Sequence, residues 1–304
     1  VILEARTDGG WPHKQPQIER LYGLVIADGA PGVEAALENQ ELDFGSIRST
    51  EVQRMEQLDH LVIEARETAG FSFIYVNTEN LDVKARQAIT HALNREVLRN
   101  IVQGDVGRII NTAITGPEWA IHPDLNPYEY NQDKARELLA QSSLDTSRPL
   151  QYYTTSTEVN RIVAQFVQES LRQIGLTVNV NMTTFQNAIE QVREGNFDFF
   201  PTSGGVPSLD PHFAIDYFTG GGNLSRYYNE RLEELAAQGV KTSVPEERQD
   251  IYHEASKLLN DEVPGIFLFQ GAMNFGLNSR IQGFEFPISL FETTTGGALD
   301  WYIE

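Results

Sequence analysis

Residues 150–200 constrain the fold of this chain most strongly, because they read strand, helix, strand, helix, strand with the periods of a βαβ unit. Leu150-Gln151-Tyr152-Tyr153 has the composition of a strand, and Thr154 to Thr157 that of a polar turn. Val159, Ile162, Val163, Phe166, Val167, Leu171 and Ile174 recur at helical spacing, and Gly175 stands where a helix commonly stops on a left-handed residue. Leu176, Val178, Val180 and Met182 alternate with polar residues, which predicts a half-buried strand. Phe185 to Glu194 is a second helix, and Phe197-Asp198-Phe199-Phe200 a third strand that opens into Pro201-Thr202-Ser203-Gly204-Gly205-Val206-Pro207. The expected class is α/β, in which ligands gather at the loops leaving the carboxyl ends of strands. That rule singles out Tyr153, Thr155, Thr202, Ser203, Gly204 and Gly205 as candidate ligand contacts through hydroxyl, aromatic and backbone groups.

The segments before this unit have a different texture. Val1 to Ala5 starts as a strand, and a Gly/Pro/polar stretch runs from Thr7 to Gln17. Leu21 to Ile26 reads as a buried strand by its apolar run, Pro31 to Gln40 as a short helix with Val33, Ala36 and Leu37 on one face. Up to about Thr68 this is strand–helix–strand material, too little to enclose a core unaided. Phe71 to Val76 is a strand ending at Asn77. Asp82 is placed as an N-cap before a stripe running from Val83 through Ala85, Ala88, Ile89, Leu93 and Val97 to Ile101, closed by Gly104. Gly107 to Tyr130 carries no period and is expected to be a long surface loop, followed by a helix from Asp133 to Ala140. Toward the end, helices are expected near Asn229–Gln238 and Pro245–Asn260, a strand at Gly265–Gln270, and a last stretch through Phe275, Ile281 and Phe284.

Composition narrows the chemistry. The 304 residues include 43 acidic and 23 basic side chains, a formal charge of −20, which speaks against a nucleic-acid partner because phosphate binding needs clustered Lys and Arg. Sixteen Phe and eleven Tyr are too many for a disordered polyelectrolyte. No apolar run reaches the ~18–20 residues that span a bilayer. The lack of cysteine excludes a disulfide framework, a thiolate metal site and a Cys nucleophile. The six histidines are scattered singly, none paired at a spacing that would offer two imidazoles to a metal from one helix. No GxSxG elbow, GxxxxGK[ST] loop or GxGxxG turn occurs, and Gly220-Gly221-Gly222 is expected to be a turn. Asp210-Pro211-His212 is a poor acid–base pair, since the proline holds Asp210 extended and the histidine points elsewhere. Of the tyrosine pairs Tyr152-Tyr153 and Tyr227-Tyr228, one member of each is expected in the core. No catalytic constellation, cofactor site or metal site emerges, so a binding protein is expected rather than an enzyme. The competing classes are an α/β hydrolase or transferase fragment, and a solute-sensing domain uncoupled from transport.

The order of segments resembles a known family. Tyr75-Val76-Asn77, followed by Asp82-Val83-Lys84-Ala85-Arg86-Gln87-Ala88-Ile89 and on to Asn94-Arg95, resembles a signature of the extracytoplasmic solute-binding proteins of peptide/nickel-type ABC importers, the family 5 solute-binding proteins. Further matches come in order: Tyr128-Glu129-Tyr130-Asn131 with Leu138-Leu139, Ile174-Gly175-Leu176, Gly195-Asn196-Phe197-Asp198, Asp210-Pro211, Asn223, Tyr228-Asn229, Arg248 with Tyr252, and Ile281-Gln282-Gly283-Phe284. The resemblance implies a two-lobed periplasmic-binding-protein type II-like fold with one complete and one partial lobe. Residues 1–70 would belong to lobe I, 71–279 to lobe II with crossovers near 71–77 and 275–280, and 280–304 would return to lobe I. It implies a periplasmic or extracytoplasmic location, a small peptide-like or other polar solute as ligand, and an ABC permease as partner. It also implies an N-terminal portion and export signal outside these 304 residues.

Two departures from the family pattern bear on the ligand. Peptide-binding members commonly carry an Asp, pairing with the peptide ammonium, at the position held here by Pro207. Dipeptide binders place an Arg in the loop after the strand matching Leu150–Tyr153, whereas here no Arg occurs between that strand and Arg161. A buried charge without its counter-charge is costly. The expectation is that short free peptides are not held through those two anchors, and that a sugar, a modified peptide or a longer peptide gripped by its backbone fits better.

Overall fold

The computed structural model describes residues 2–5, 16–26, 29–104, 106–204, 210–284 and 300–303. The chain divides into two compact units, residues 1–68 with 272–304 and residues 69–271. Two long strands, β4 (Leu61–Val76) and β8 (Gly265–Asn278), have residues in both.

In the first unit β1 (Ile2–Glu4) and β2 (Arg20–Tyr22) pair antiparallel, Ile2 opposite Tyr22. The expected buried strand from Leu21 to Ile26 needs correction: the strand stops at Tyr22, and Leu24 and Val25 are 58% and 98% exposed. Among the described residues β1 and β2 pair only with each other as strands, and a two-stranded ribbon is marginal without further strands to pack on. The unit's core lies elsewhere. α1 (Gly29–Glu38) sets Leu37 against Ile47 of β3 (Phe44–Ile47), Met55 of α2 (Val52–Met55) and Leu61 at the start of β4. β3 runs antiparallel to β8, Phe44 opposite Leu277. Two glycines permit the close approach of helix to strands: a Cβ on Gly45 would stand 2.6 Å from Val33, and one on Gly276 2.8 Å from Ile47. Glu34, buried on α1, is met by the Arg48 guanidinium at 2.6 Å and by the Arg48 N–H at 2.9 Å. β9 (Ile281–Gln282) and β10 (Tyr302–Ile303) form a further antiparallel pair.

The second unit is a mixed sheet with helices on both faces. Its helical elements, in order, are α3 (Val83–Ala92), α4 (Arg95–Gln103), α5 (Gln132–Ala140), α6 (Glu158–Arg172), α7 (Phe185–Glu194), α8 (His212–Ile215), α9 (Glu230–Gly239) and α10 (Pro245–Glu262). The strands β5 (Leu150–Thr154), β6 (Val178–Met182) and β7 (Phe199–Gly204) complete it, in the order β8-β4-β7-β5-β6. β5 is parallel to both β6 and β7, as the βαβ pattern predicts, while β4 and β7 are antiparallel with Phe71 opposite Gly204. Ile74, Val76, Tyr152 and Phe199 point to the face covered by α3, α5 and α6. Phe71, Phe73, Tyr75 and Phe200 point to the face covered by α9 and α10. With both faces buried, the strands read as apolar runs rather than clean alternations.

Three expectations change here. The stripe from Val83 to Ile101 is two helices, because Leu93 is extended (φ −93°, ψ 117°) and the Asn94 side chain caps a new start by accepting from the Val97 N–H. The break turns Val97 and Ile101 out to solvent. Residues 107–130 are irregular but not a surface loop: Ile110, Ala113, Ile114, Ala120 and Tyr128 are buried. Buried irregular backbone must find partners for its polar groups, and two distant side chains supply them. The Arg95 guanidinium donates to the carbonyls of Ile110 and Phe267, both at 2.8 Å, and of Pro127 at 2.6 Å. The Asn260 amide accepts from the Asn126 N–H and donates to the Asn111 and Asn126 carbonyls. Finally, residues 201–204 are not loop but the end of β7, paired with β4.

Candidate functional site

At the carboxyl ends of β5 and β7 the second unit holds a cavity of about 250 Å³. Its apolar lining comes from Phe73 on β4, Phe200 and Pro201 on β7, Val102 on α4, Val159 and Val163 on α6, Phe185 on α7, and Leu268 and Phe269 on β8. Its polar lining is Ser72, Thr154, Thr155, Asn160, Thr202 and Ser203. Local sequence explains the geometry. β5 ends where Thr157 caps α6, accepting from the Asn160 N–H at 3.3 Å, and the Asn160 amide reaches back to donate to Thr155 Oγ1 at 2.6 Å. The Thr183 N–H donates to the Thr154 carbonyl at 2.9 Å and ties the end of β6 to that of β5. Val159 and Phe185 are 46% and 61% exposed, so the cavity opens past them.

Of the six residues singled out in the sequence, Thr155, Thr202 and Ser203 line this cavity. Tyr153 does not; it is half-buried and packs against the cluster on the opposite face of the sheet. Gly204 ends β7 beside the lining residues, and Gly205, like Pro207, lies outside the described residues. Asn160, Phe185 and Ser72 were not foreseen, and Thr154 was expected only as part of a polar turn where it in fact ends β5. A polar residue on the first turn of an otherwise apolar helix face was the available signal for Asn160, and none marks Ser72, which is brought in by the pairing of β4 with β7.

No lining residue is charged or titratable. Among the described residues the starts of α6 and α7 are the electrostatic features at hand, and a helix N-terminus favours an anion by roughly 0.3–1 kcal/mol. That is well below the several kcal/mol that an unpaired buried charge costs. The cavity is therefore suited to neutral groups. Among the described residues no cluster of His, Asp or Glu is placed to hold a metal ion. Asp210 is committed to structure: it accepts the His212 N–H at 3.0 Å and the Arg248 guanidinium at 2.8 Å. Partial burial pushes its carboxyl up, but those two donors outweigh this and hold it below the usual carboxylate range. Arg248 lies over the rings of Trp119 and Tyr252, 5.8 and 5.2 Å from their centroids.

The residues that carry the family resemblance form brackets in the scaffold. Asp82 caps α3, accepting from the Ala85 N–H. Arg86 donates twice to the Glu262 carbonyl, and Gln87 donates to that of Asp261, closing the end of α10. Asn77 donates to the Gly195 and Phe197 carbonyls. Asp198, fully buried, receives both Arg148 amino groups at 2.8 Å, the Gln151 N–H at 2.7 Å and the Asn80 amide at 3.1 Å. Asn131 and Asn229 cap α5 and α9.

Comparison with known proteins agrees with this scaffold. Residues 1–226 match the family described as bacterial extracellular solute-binding proteins, family 5 Middle. The oligopeptide-binding protein AppA of Bacillus subtilis is 24% identical over 310 residues, covering 94% of this chain and 56% of that protein. The structure of AppA in complex with a nonapeptide superposes with a TM-score of 0.75 at 20% identity, over 100% of this chain and 64% of that one. The ABC transporter substrate-binding protein CtaP of Listeria monocytogenes superposes with a TM-score of 0.85 at 22% identity, over 100% and 64% of the two chains. The chain spans about half the length of the relatives it matches in sequence.

Proposed function

The chain belongs to the bacterial extracellular solute-binding proteins of family 5 and has their α/β fold over about three fifths of the solved chains' length, and from that premise we propose that it captures a peptide-like solute outside the cytoplasm for an ABC permease. The observation that carries this reading is the neutral cavity at the carboxyl ends of β5 and β7, where an α/β sheet presents ligand sites. The second unit is taken as one lobe, and β4 and β8, through residues 71–77 and 275–280, as its crossovers to the other. Such a protein works as a hinge with two populated states: ligand favours the closed one because it touches both lobes there and only one when open. Thr155, Thr202 and Ser203, with the backbone at Gly204 and Gly205, are the proposed contacts, and Tyr153, which packs against the other face of the sheet, is left out of them.

The ligand class follows from charge. With proline at 207 and no arginine between β5 and Arg161, the two ends of a short peptide lack fixed counter-charges. A longer peptide held through its backbone suits the site better, and a nonapeptide is what AppA holds in its solved complex. Thermal unfolding of the full-length protein against separate pools of dipeptides, longer peptides, sugars and nickel–histidine tests the proposal. A ligand specific for the native state raises the unfolding temperature. Longer peptides are expected to do so, and the dipeptide pool to give the weaker response. A response to sugars or nickel–histidine alone, with none to peptides, contradicts the proposal.

A further inference from the structure

The cavity has a built polar wall. β4, β7 and β5 are adjacent, and their registers place Ser72, Ser203 and Thr154 on one face of the sheet, the face that also bears Ile74, Phe199 and Tyr152. Ser72 and Ser203 stand directly opposite each other across the β4–β7 pair. Thr154 is 1% exposed, and its hydroxyl has no hydrogen-bond partner among the described residues. Burying a hydroxyl without a partner is unfavourable, so a native structure that keeps one beside an open cavity has a place for a ligand's hydrogen-bonding group. Val102 of α4 and Val163 of α6 line the recess as well, and Leu268 of β8 joins the wall from the same face of the sheet. At about 250 Å³ the space falls below the ~300–1,000 Å³ of sites that enclose a whole small ligand.

We infer that this recess receives a single side chain of the captured peptide, that it admits uncharged side chains with an aliphatic body, and that a threonine-like hydroxyl completes the wall by bonding to Thr154. The inference rests on the peptide-binding reading above and adds its selectivity. Charged side chains are excluded because neither the lining nor the five residues after Gly204, residues 205–209, supplies a counter-charge. Between the two signs, glutamate is disfavoured less than lysine, since the amino end of α6 adjoins the cavity through Val159 and Asn160.

Titration calorimetry of the full-length protein tests this with a host pentapeptide of alanines in which each position in turn becomes Val, Thr, Lys or Glu. At one position Val and Thr are expected to bind at least as tightly as Ala, while Lys weakens binding at least about tenfold and Glu by less. Tolerance of Lys and Glu within about threefold at every position, with the peptides binding, overturns the selectivity and leaves the peptide reading standing. Failure of all the peptides to bind overturns both. The variant Val159→Lys changes an exposed residue of α6 and puts a cation at the opening. It is expected to restore the Glu peptide and to weaken the Lys peptide further at that same position. No change in either refutes the placement of the side chain in this recess.

Discussion

Arg95 makes five hydrogen bonds to main-chain and side-chain oxygens of residues 110, 111, 127, 128 and 267 while only 5% exposed. Burial lowers its pKa to about 10, so it stays protonated at neutral pH and its donors remain available. Arg95→Met should destabilise the protein by at least about 3 kcal/mol, because several buried acceptors lose their partner together. Urea denaturation reads this directly, and a change under about 1 kcal/mol would show that the segment holds itself. The opposite sign is expected at Thr154. Thr154→Val removes a buried hydroxyl that has no partner among the described residues, so stability should hold or rise while affinity for a threonine-bearing peptide falls. A loss of stability together with unchanged affinity would place that hydroxyl's partner inside the protein. The sequence offered no route to the role of Arg95. Its acceptors are separated from it by up to 172 residues, so 107–130 looked like a polar loop when its backbone is in fact satisfied from a distance.

At the scale of the element, local signals served well where a strand or helix is bounded by its own residues. The β5–α6–β6 unit lies where apolar spacing and Gly175 put it, with Gly175 at φ +89° as its position requires. They failed where a tertiary contact decides. The division of α3 from α4 turns on Leu93 being extended, and apolar spacing runs through that break undisturbed. The end of β7 reads as loop because Pro201 and Gly204 are poor strand formers, yet pairing with β4 overrides propensity. Capping gives a test with a definite sign. Burial pushes the Asp82 carboxyl up, but the Ser143 hydroxyl and N–H with the Ala85 N–H prevail and hold it below the usual range. A carboxyl with a depressed folded pKa contributes stability that is present above its unfolded pKa and lost as the pH falls through the folded value. Asp82→Ala should therefore cost about 1 kcal/mol at neutral pH, and the difference from the native sequence should shrink below about pH 3. A difference that stays constant down to that pH would mean the hydroxyl of Ser143, not the charge on Asp82, is what matters.

For the whole molecule, the family was legible because its signature lies in scaffold brackets: Asn77, Asp82, Arg86, Gln87, Asn131, Asp198 and Asn229 all hold one element to another or cap one. The same fact explains why ligand identity was not legible. Residues that fix a fold can recur whatever the ligand, while the cavity is lined by serine, threonine, valine and phenylalanine, which carry no pattern in a sequence. The claim that joins these scales is that a peptide-like solute occupies the neutral recess at the ends of β5 and β7. Hydrogen–deuterium exchange on the full-length protein, with and without a saturating alanine-based pentapeptide, tests it most directly. The account predicts slower exchange at residues 154–160 and 201–204 when peptide is bound. Saturable peptide binding that leaves exchange at both segments unchanged would contradict it.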